Sequence, residues 1–239
     1  MEVAPTAHYS MGGFRVNPFN PSTNIKGLFA AGEVAGGLHG ANRLGGNSLA
    51  EILIFGKIVG ENSSRYSRNL NFQMRSKKMI YLAIENIEKI IKRGSQKAIT
   101  LQNQLSDIMW NYCGVIKDEK NLKEGLNKLN DLKGLSMEID IKLEENNQQE
   151  LIDTLNLQSS LISAEATIKS AFNRKESRGA HQRSDFKKLE EKYNFNNVVY
   201  LQNQKLKVKE INSIKLKSEI LDFVSQRSKA VEERKKLLE

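Results

Sequence analysis

A glycine-rich loop that leads into an apolar run decides the fold: His39-Gly40-Ala41-Asn42-Arg43-Leu44-Gly45-Gly46-Asn47-Ser48-Leu49. We expect Asn47 or Ser48 to cap a helix that continues to Val59. Glycine lets the backbone approach a ligand closely, and the N-terminus of a helix offers unpaired N–H donors at the positive end of its dipole. The stretch therefore predicts a binding site for an anion or an electron-rich ring.

Two segments ahead of this loop have the composition of strands. Residues 13–17 predict a short strand, and residues 27–32 predict a buried strand that ends in a glycine turn. All three prolines and eleven of the sixteen glycines lie in the first sixty residues. Because the composition changes so abruptly, we expect a boundary near residues 60–70.

The remainder of the chain has no proline and mostly helical periodicity. Apolar side chains recur at helical spacing in four segments, which we expect to form the core of an antiparallel bundle: 79–91, 99–109, 122–132 and 151–171. The single cysteine, Cys113, excludes an internal disulfide, and we expect it to fill a small apolar space beside Trp110 on a helix. Residues 198–201 and 206–208 predict a hairpin, and residues 217–239 predict a charged amphipathic helix.

The formal net charge of +9 does not predict a nucleic-acid interface. Nearly all of the excess lies after residue 60, where basic and acidic residues are intermixed, as is typical of solvated helical faces. The longest apolar stretch is far shorter than the roughly 20 residues of a membrane span, and the N-terminus lacks the pattern of a secretory signal. These features predict a cytoplasmic protein.

Three side chains in the glycine-rich part are candidates for ligand contacts. Arg43 is an isolated cation, and a guanidinium in a glycine-lined loop can hold a carboxylate through two parallel hydrogen bonds. Glu33 ends the second predicted strand, where it can accept hydrogen bonds from the hydroxyls of a ribose or ribityl chain. A salt bridge between Glu33 and Arg43 is the structural alternative. His8, which precedes paired glycines, fits a structural role and a substrate contact equally well.

Three blocks, in this order, resemble the succinate dehydrogenase/fumarate reductase flavoprotein family, which includes L-aspartate oxidase. They are His8-Tyr9-Ser10-Met11-Gly12-Gly13, Gly27-Leu28-Phe29-Ala30-Ala31-Gly32-Glu33 and the loop at residues 39–49, which is long and highly specific. A later segment, Glu176-Ser177-Arg178-Gly179-Ala180-His181, resembles a block that follows the helical domain of the family. The resemblance extends over residues 3–190.

The resemblance implies FAD as the cofactor and a dicarboxylate as the substrate. His8 and Arg43 match the residues that hold a substrate carboxylate over the flavin, and Glu33 matches the acid that binds the sugar-like part of FAD. Three positions match the start of the helix whose backbone meets the cofactor: Asn47, Ser48 and Leu49. In the family the flavin exchanges a hydride with the substrate at N5. The arginine that donates the proton is expected upstream of this chain, and no metal site is implied.

The resemblance also implies an α+β fold in three parts. Residues 1–65 would be a partial FAD-binding α/β segment, the C-terminal piece of the FAD/substrate-binding domain. Residues 66–190 would be the helical-bundle domain of the family. Residues 191–239 lie beyond the resemblance, and their own pattern predicts a divergent hairpin-plus-helix tail. The sequence has no Gly-x-Gly-x-x-Gly turn for the FAD pyrophosphate, so we expect the chain alone to be inactive without an N-terminal FAD-binding region.

We therefore expect the C-terminal part of an enzyme that interconverts fumarate and succinate. The implied partner is an iron–sulfur electron-transfer subunit, which would hold the protein at the inner face of the membrane. L-aspartate oxidase would use the same His8 and Arg43, but Gly45-Gly46 favours the fumarate branch because the oxidase branch more usually has Ala-Ser there. A non-catalytic helical interaction module from a truncated or split gene is the third hypothesis, since basic helices can steer an acidic partner.

Overall fold

The computed structural model describes residues 8–71, 76–91, 93–142 and 148–213. The chain divides into two compact units, residues 1–189 and residues 190–239. Within the described residues, the first unit contains short strand pairs and five α-helices, and the second contains a hairpin. The boundary predicted at residue 65 falls inside a helix that ends at Arg68. The division of the first unit into two domains stays a prediction.

The glycine-rich part is held together by very short strands. Strand β1 (Phe14–Arg15) runs parallel to β2 (Ala35–Gly36), so the strand predicted over residues 13–17 is only two residues long. The prediction of a strand over residues 27–32 was wrong. The segment forms a single isolated bridge, between Ser22 and Phe29. A strand needs a neighbouring backbone along its whole length, and only residues 21–23 run alongside this segment.

Helix α1 (Asn47–Arg68) follows the glycine-rich loop and extends nine residues beyond the predicted end at Val59. The prediction that Asn47 or Ser48 caps it was wrong. The helix already begins at Asn47, and Gly46 is the N-cap residue, with a φ of 82° that favours glycine. Gly46 has no side chain that could cap the first turn of α1.

Helices α3 (Ala98–Cys113), α4 (Glu119–Leu135) and α5 (Gln149–Asn173) pack against one another as the predicted bundle. The buried positions of α5 advance by three or four residues, as a helical period of 3.6 requires. All three helices contribute side chains to the core: Leu101, Leu105, Leu122, Leu129, Leu157 and Ile168. Cys113 lies in the same cluster, although Trp110 is exposed.

The prediction that every apolar stripe belongs to the core was wrong for α2 (Lys77–Ile90), which has no buried residue. Ile90 and Ile91 alone, at the end of this stripe, pack against the core cluster. Leu155 and Ile162 of α5 were also expected inside and are exposed. Periodicity shows which side of a helix is apolar, but burial also needs a neighbour, and none of the described residues covers these faces.

Two further pairings complete the described structure. Strand β3 (Ile116–Lys117) pairs in parallel with β4 (Gln182–Arg183), which brings the segment after α5 to the start of α4. In the second unit, β5 (Phe195–Gln202) and β6 (Lys205–Asn212) form the predicted antiparallel hairpin around Asn203 and Gln204, both with positive φ. The helix predicted over residues 217–239 lies outside the described residues. No helix in the described ranges meets the length and hydropathy of a membrane span.

Candidate functional site

Arg43 lies in the loop between β2 and α1, and its guanidinium has more hydrogen-bond donors than the described structure uses. One guanidinium nitrogen, Nη1, donates a hydrogen bond to the carbonyl oxygen of Leu44 at 3.2 Å. The Nε atom is buried and has no hydrogen-bond partner among the residues that the structure describes. A buried unpaired donor costs free energy, and this cost is removed when an acceptor binds. The arrangement therefore fits an anionic ligand, and a carboxylate matches its geometry best.

Tyr9 connects the two predicted substrate ligands. The Cζ atom of Arg43 lies 4.7 Å from the centroid of the Tyr9 ring, within the range of a cation–π contact. The ring of His8 lies 6.5 Å from the same ring, and the His8 side chain is exposed. The structure thus brings His8 and Arg43 to one neighbourhood, although they are far apart in sequence.

Glu33 links the first and second sequence blocks. One carboxylate oxygen, Oε1, accepts a hydrogen bond from the backbone N–H of Ser10 at 2.8 Å, and Glu33 is exposed. Glu33 and Arg43 form no ion pair in the described structure, so the salt bridge that was the structural alternative is not made. An exposed carboxylate with remaining acceptor capacity can take hydroxyl donors, as the predicted contact with the sugar-like part of FAD requires.

Asn47, Ser48 and Leu49 form the first turn of α1. The N–H of Asn47 donates a hydrogen bond to the carbonyl oxygen of Leu44 at 3.2 Å. Among the described residues the N–H groups of Ser48 and Leu49, at the positive end of the helix dipole, have no acceptor and are open to an external one. A Cβ atom added at Gly45 or Gly46 would meet no other atom within 4 Å, so a ligand could lie against the backbone there. These features and the open acceptor capacity of Glu33 fit the predicted FAD site.

Sequence reasoning missed a second set of residues at this site. Glu51, on α1, is 4% exposed. Its Oε2 atom accepts a hydrogen bond from the Tyr9 hydroxyl at 2.6 Å and lies 2.7 Å from Nε2 of His39. The one available signal was Glu51 itself, an acidic residue among the apolar residues of α1. Nothing local pointed to Tyr9, which lies 42 residues away in sequence.

The segment that matches the fourth sequence block touches the loop that carries Arg43. The N–H of Ala180 donates a hydrogen bond to the carbonyl oxygen of Ala41 at 2.9 Å. Behind this turn, Arg178 is paired with the fully buried Glu176. His181 lies 3.1 Å from the carbonyl oxygen of Arg174, and burial lowers the pKa of its imidazole. The described contacts of Arg178 and His181 therefore fit an ordering role for the Ala41 loop rather than direct ligand contact.

Replacing Gly179 with Ala is expected to break this contact. The φ of Gly179 is 56°, and an added Cβ atom would lie 2.3 Å from the carbonyl oxygen of Ala41. We expect the substitution to lower the free energy of unfolding by about 1–3 kcal/mol and to speed exchange of the Ala180 amide proton at least roughly tenfold. Amide exchange followed by NMR and thermal unfolding would measure both effects.

Gly134→Ala is the matched control, because Gly134 lies within α4 and an added Cβ atom there meets nothing within 4 Å. This substitution should leave Ala180 exchange unchanged and stabilise the chain slightly. Wild-type exchange at Ala180 in Gly179→Ala would show that the contact does not hold the loop.

Comparisons with known proteins show the family to which the chain belongs. Residues 102–232 match the family model described as fumarate reductase flavoprotein C-term, and residues 1–49 match the model described as FAD binding domain. The chain is 38% identical to a fumarate reductase flavoprotein of Proteus vulgaris, in an alignment that covers 77% of this chain and 31% of the relative. It is 38% identical to an L-aspartate oxidase of Saccharolobus solfataricus, with 78% of this chain and 33% of the relative covered.

Solved structures give the same result. The chain superposes on the quinol fumarate reductase protein FrdA of E. coli with a TM-score of 0.82 and 28% identity, covering 90% of this chain and 38% of that one. It spans about a third of the length of the curated relatives that it matches. Because one family model covers more than half of the sequence, this chain belongs to the fumarate reductase/succinate dehydrogenase flavoprotein family of FAD-dependent oxidoreductases.

Proposed function

We propose that this chain forms the substrate-carboxylate site of an FAD-dependent oxidoreductase that interconverts fumarate and succinate. The observation that carries the proposal is the buried Nε of Arg43, which has no hydrogen-bond partner among the described residues; Arg43 lies beside Tyr9 together with His8. Arg43 would bind one carboxylate of the substrate through its guanidinium, and His8 would donate a further hydrogen bond. This pair would orient the dicarboxylate for reaction.

Bound FAD would supply the hydride chemistry that side chains cannot perform. Glu33 would accept hydrogen bonds from the hydroxyls of its sugar-like part. The first turn of α1, formed by Asn47, Ser48 and Leu49, would stabilise negative charge on the ring system through the positive end of the helix dipole. In this proposal the proton comes from an arginine outside this chain, so none of its described residues acts as the acid.

Large apolar side chains are exposed on the segments that form the site, and they indicate what else the function needs. Leu44 and Leu53 are each 73% exposed, and Phe14 and Leu49 are exposed as well. Apolar surface of this kind usually belongs to an interface. We propose that the FAD-binding region present in the longer relatives covers it, and that FAD binds tightly only to the assembled flavoprotein.

The helical part has a second exposed apolar surface, formed by Trp110, Val115 and Ile116 around the end of α3 and the start of β3. Exposed tryptophan is enriched at the centres of protein interfaces. We propose that an iron–sulfur electron-transfer subunit docks on the helical part and holds the enzyme peripherally at the inner face of the membrane. The basic excess after residue 60 would speed the encounter with an acidic partner.

Turnover assays test the proposed function. We expect the flavoprotein completed with its N-terminal FAD-binding region to reduce fumarate with a viologen donor and to leave L-aspartate unchanged. FAD titration of the isolated chain should give a dissociation constant at least roughly a thousandfold weaker than that of the completed protein, because most of the cofactor contacts are missing.

Each other outcome would select a different hypothesis. Turnover of aspartate without fumarate would identify an L-aspartate oxidase. Absence of both activities, with partner binding intact, would favour a helical interaction module. Tight FAD binding by the isolated chain would contradict the dependence on the N-terminal region.

A further inference from the structure

The buried carboxylate of Glu51 is not explained by the proposed contacts with substrate or cofactor. Its side chain is 2% exposed, and a buried carboxylate is unfavourable unless it is paired. A single oxygen, Oε2, takes both the Tyr9 hydroxyl and Nε2 of His39. An ionised carboxylate only accepts hydrogen bonds, so the tautomer of His39 with a proton on Nε2 is the one that can donate to Glu51. Glu51 therefore joins three segments, at residues 9, 39 and 51.

The Tyr9 ring is the surface against which Arg43 lies. Its hydroxyl end is fixed by Glu51, and it packs edge to face with the ring of His39, with 5.3 Å between the two ring centroids and an interplanar angle of 82°. The guanidinium carbon of Arg43 lies 4.7 Å from its centroid. Apart from this ring contact, the polar contact that fixes the guanidinium within the described structure is the bond to Leu44. A shift of the Tyr9 ring would therefore move Arg43.

We propose that Glu51 is a positioning residue of the carboxylate site: it anchors Tyr9 and His39, and the anchored Tyr9 ring holds the guanidinium of Arg43 in its binding orientation. The proposal rests on the proposed function, because it takes Arg43 to be the substrate ligand. Preorganisation of this kind raises ligand affinity, since the guanidinium does not have to be ordered on binding.

The protonation of Tyr9 supports the arrangement. Partial burial, together with the hydrogen bond to the Glu51 carboxylate, raises the pKa of Tyr9 to about 12. The hydroxyl therefore stays protonated at physiological pH and continues to donate to Glu51. The hydrogen bond between Tyr9 and Glu51 is therefore not lost through ionisation of Tyr9 in the pH range where the enzyme would work.

NMR of the chain itself tests the geometry without any cofactor. The Arg43 side-chain protons should be shifted upfield by the ring current of Tyr9, because the guanidinium lies close to the ring. Tyr9→Leu should abolish this shift. Tyr9→Phe and Glu51→Gln should reduce the shift by about half. The ring is still present in both variants, but its hydrogen bond to residue 51 is removed in Tyr9→Phe and weakened in Glu51→Gln. Glu61→Gln, the same change at an exposed position of α1, is the control and should leave it unchanged.

Malonate affinity of the FAD-completed flavoprotein, measured by calorimetry, tests the consequence. We expect the dissociation constant to rise roughly threefold to tenfold in Tyr9→Phe and Glu51→Gln, and about thirtyfold in Tyr9→Leu. The fumarate KM should rise in parallel, while kcat and FAD content change less than about twofold, because the arrangement acts on substrate binding. A merely structural role would lower FAD content or stability instead of KM.

The outcomes separate the two claims. The positioning role alone would be overturned by one combination of results. In it, Glu51→Gln and Tyr9→Phe keep the wild-type ring-current shifts and malonate affinity, while Arg43→Ala loses malonate binding. Unchanged malonate affinity in Arg43→Ala would overturn the proposed function. Weakened affinity together with reduced ring-current shifts in the Tyr9 and Glu51 variants would support the positioning role.

Discussion

Replacing Arg43 with Ala is expected to lower kcat/KM for fumarate at least about a hundredfold in the FAD-completed flavoprotein. A guanidinium that forms two charge-assisted hydrogen bonds with a carboxylate in a partly buried site contributes about 2–5 kcal/mol, and each 1.4 kcal/mol corresponds to a factor of ten. Arg43 has the capacity for such a contact, because its buried Nε has no partner in the described structure. Steady-state kinetics with fumarate would measure the loss.

Arg43→Lys distinguishes geometry from charge. Lysine keeps the positive charge but cannot offer two parallel donors or lie flat on the Tyr9 ring, so we expect it to recover less than about a tenth of the lost activity. Arg68→Ala is the control, because Arg68 is an exposed arginine at the end of α1. If Arg43→Ala retained most of the activity and bound FAD normally, Arg43 would not be the substrate ligand.

Local patterns predicted the elements whose signals are local. The loop at residues 39–49 leads into α1, three apolar stripes form α3, α4 and α5, and the hairpin closes around Asn203. The end of α1 was placed too early because the apolar run stops before the helix does. The helix continues through mostly polar residues to Arg68. The backbone hydrogen bonds of a helix form whether or not its side chains are apolar.

Features that depend on distant segments could not be obtained in this way. Periodicity identified the apolar face of α2 but could not show that it is exposed. The cluster of Tyr9, His39 and Glu51 joins three segments, and no spacing rule connects a tyrosine to a glutamate 42 residues later. The residue pattern made His8 and Arg43 candidates and the family resemblance assigned them to the substrate, whereas the contacts of their common neighbour Tyr9 became visible only in three dimensions.

The second large effect is expected for stability. Arg183→Met should lower the free energy of unfolding by about 3 kcal/mol and the melting temperature by roughly 6–12 °C. The side chain of Arg183 is fully buried. Its Nε and Nη2 atoms each donate to Asp185 at 2.7 Å, and Nη1 donates to the carbonyl oxygen of Ala171 at 2.9 Å. Removal of the guanidinium would leave the Asp185 carboxylate without its cation and the buried Ala171 carbonyl without this donor.

Arg183 has this effect because it joins two helix ends. Ala171 lies in the last turn of α5, and Asp185 also accepts the backbone N–H of Glu119, the first residue of α4, at 2.8 Å. The contact thus links the C-terminal end of α5 to the N-terminal end of α4. The positive guanidinium of Arg183 lies at the negative end of α5, and the negative carboxylate of Asp185 lies at the positive end of α4. Circular dichroism during heating would measure the loss, and Lys187→Met, at an exposed position nearby, should change the melting temperature by less than about 2 °C.

Acid unfolding separates the ion pair from simple packing. The hydrogen bonds from Arg183 lower the pKa of Asp185 from 3.8 to about 2. A carboxyl group with a lowered pKa stabilises the folded state above its ordinary pKa, and this contribution is lost as the pH falls toward the folded value. In Arg183→Met the pKa of Asp185 should return toward 3.8, so the difference in melting temperature between wild type and variant should narrow from pH 7 to pH 2. The other carboxyl groups titrate in both proteins, so their effects on the melting temperature largely cancel in the difference between wild type and variant. A difference that stayed constant over this range would mean that Arg183 stabilises the helices through packing and its bonds to carbonyl groups, without a net contribution from Asp185.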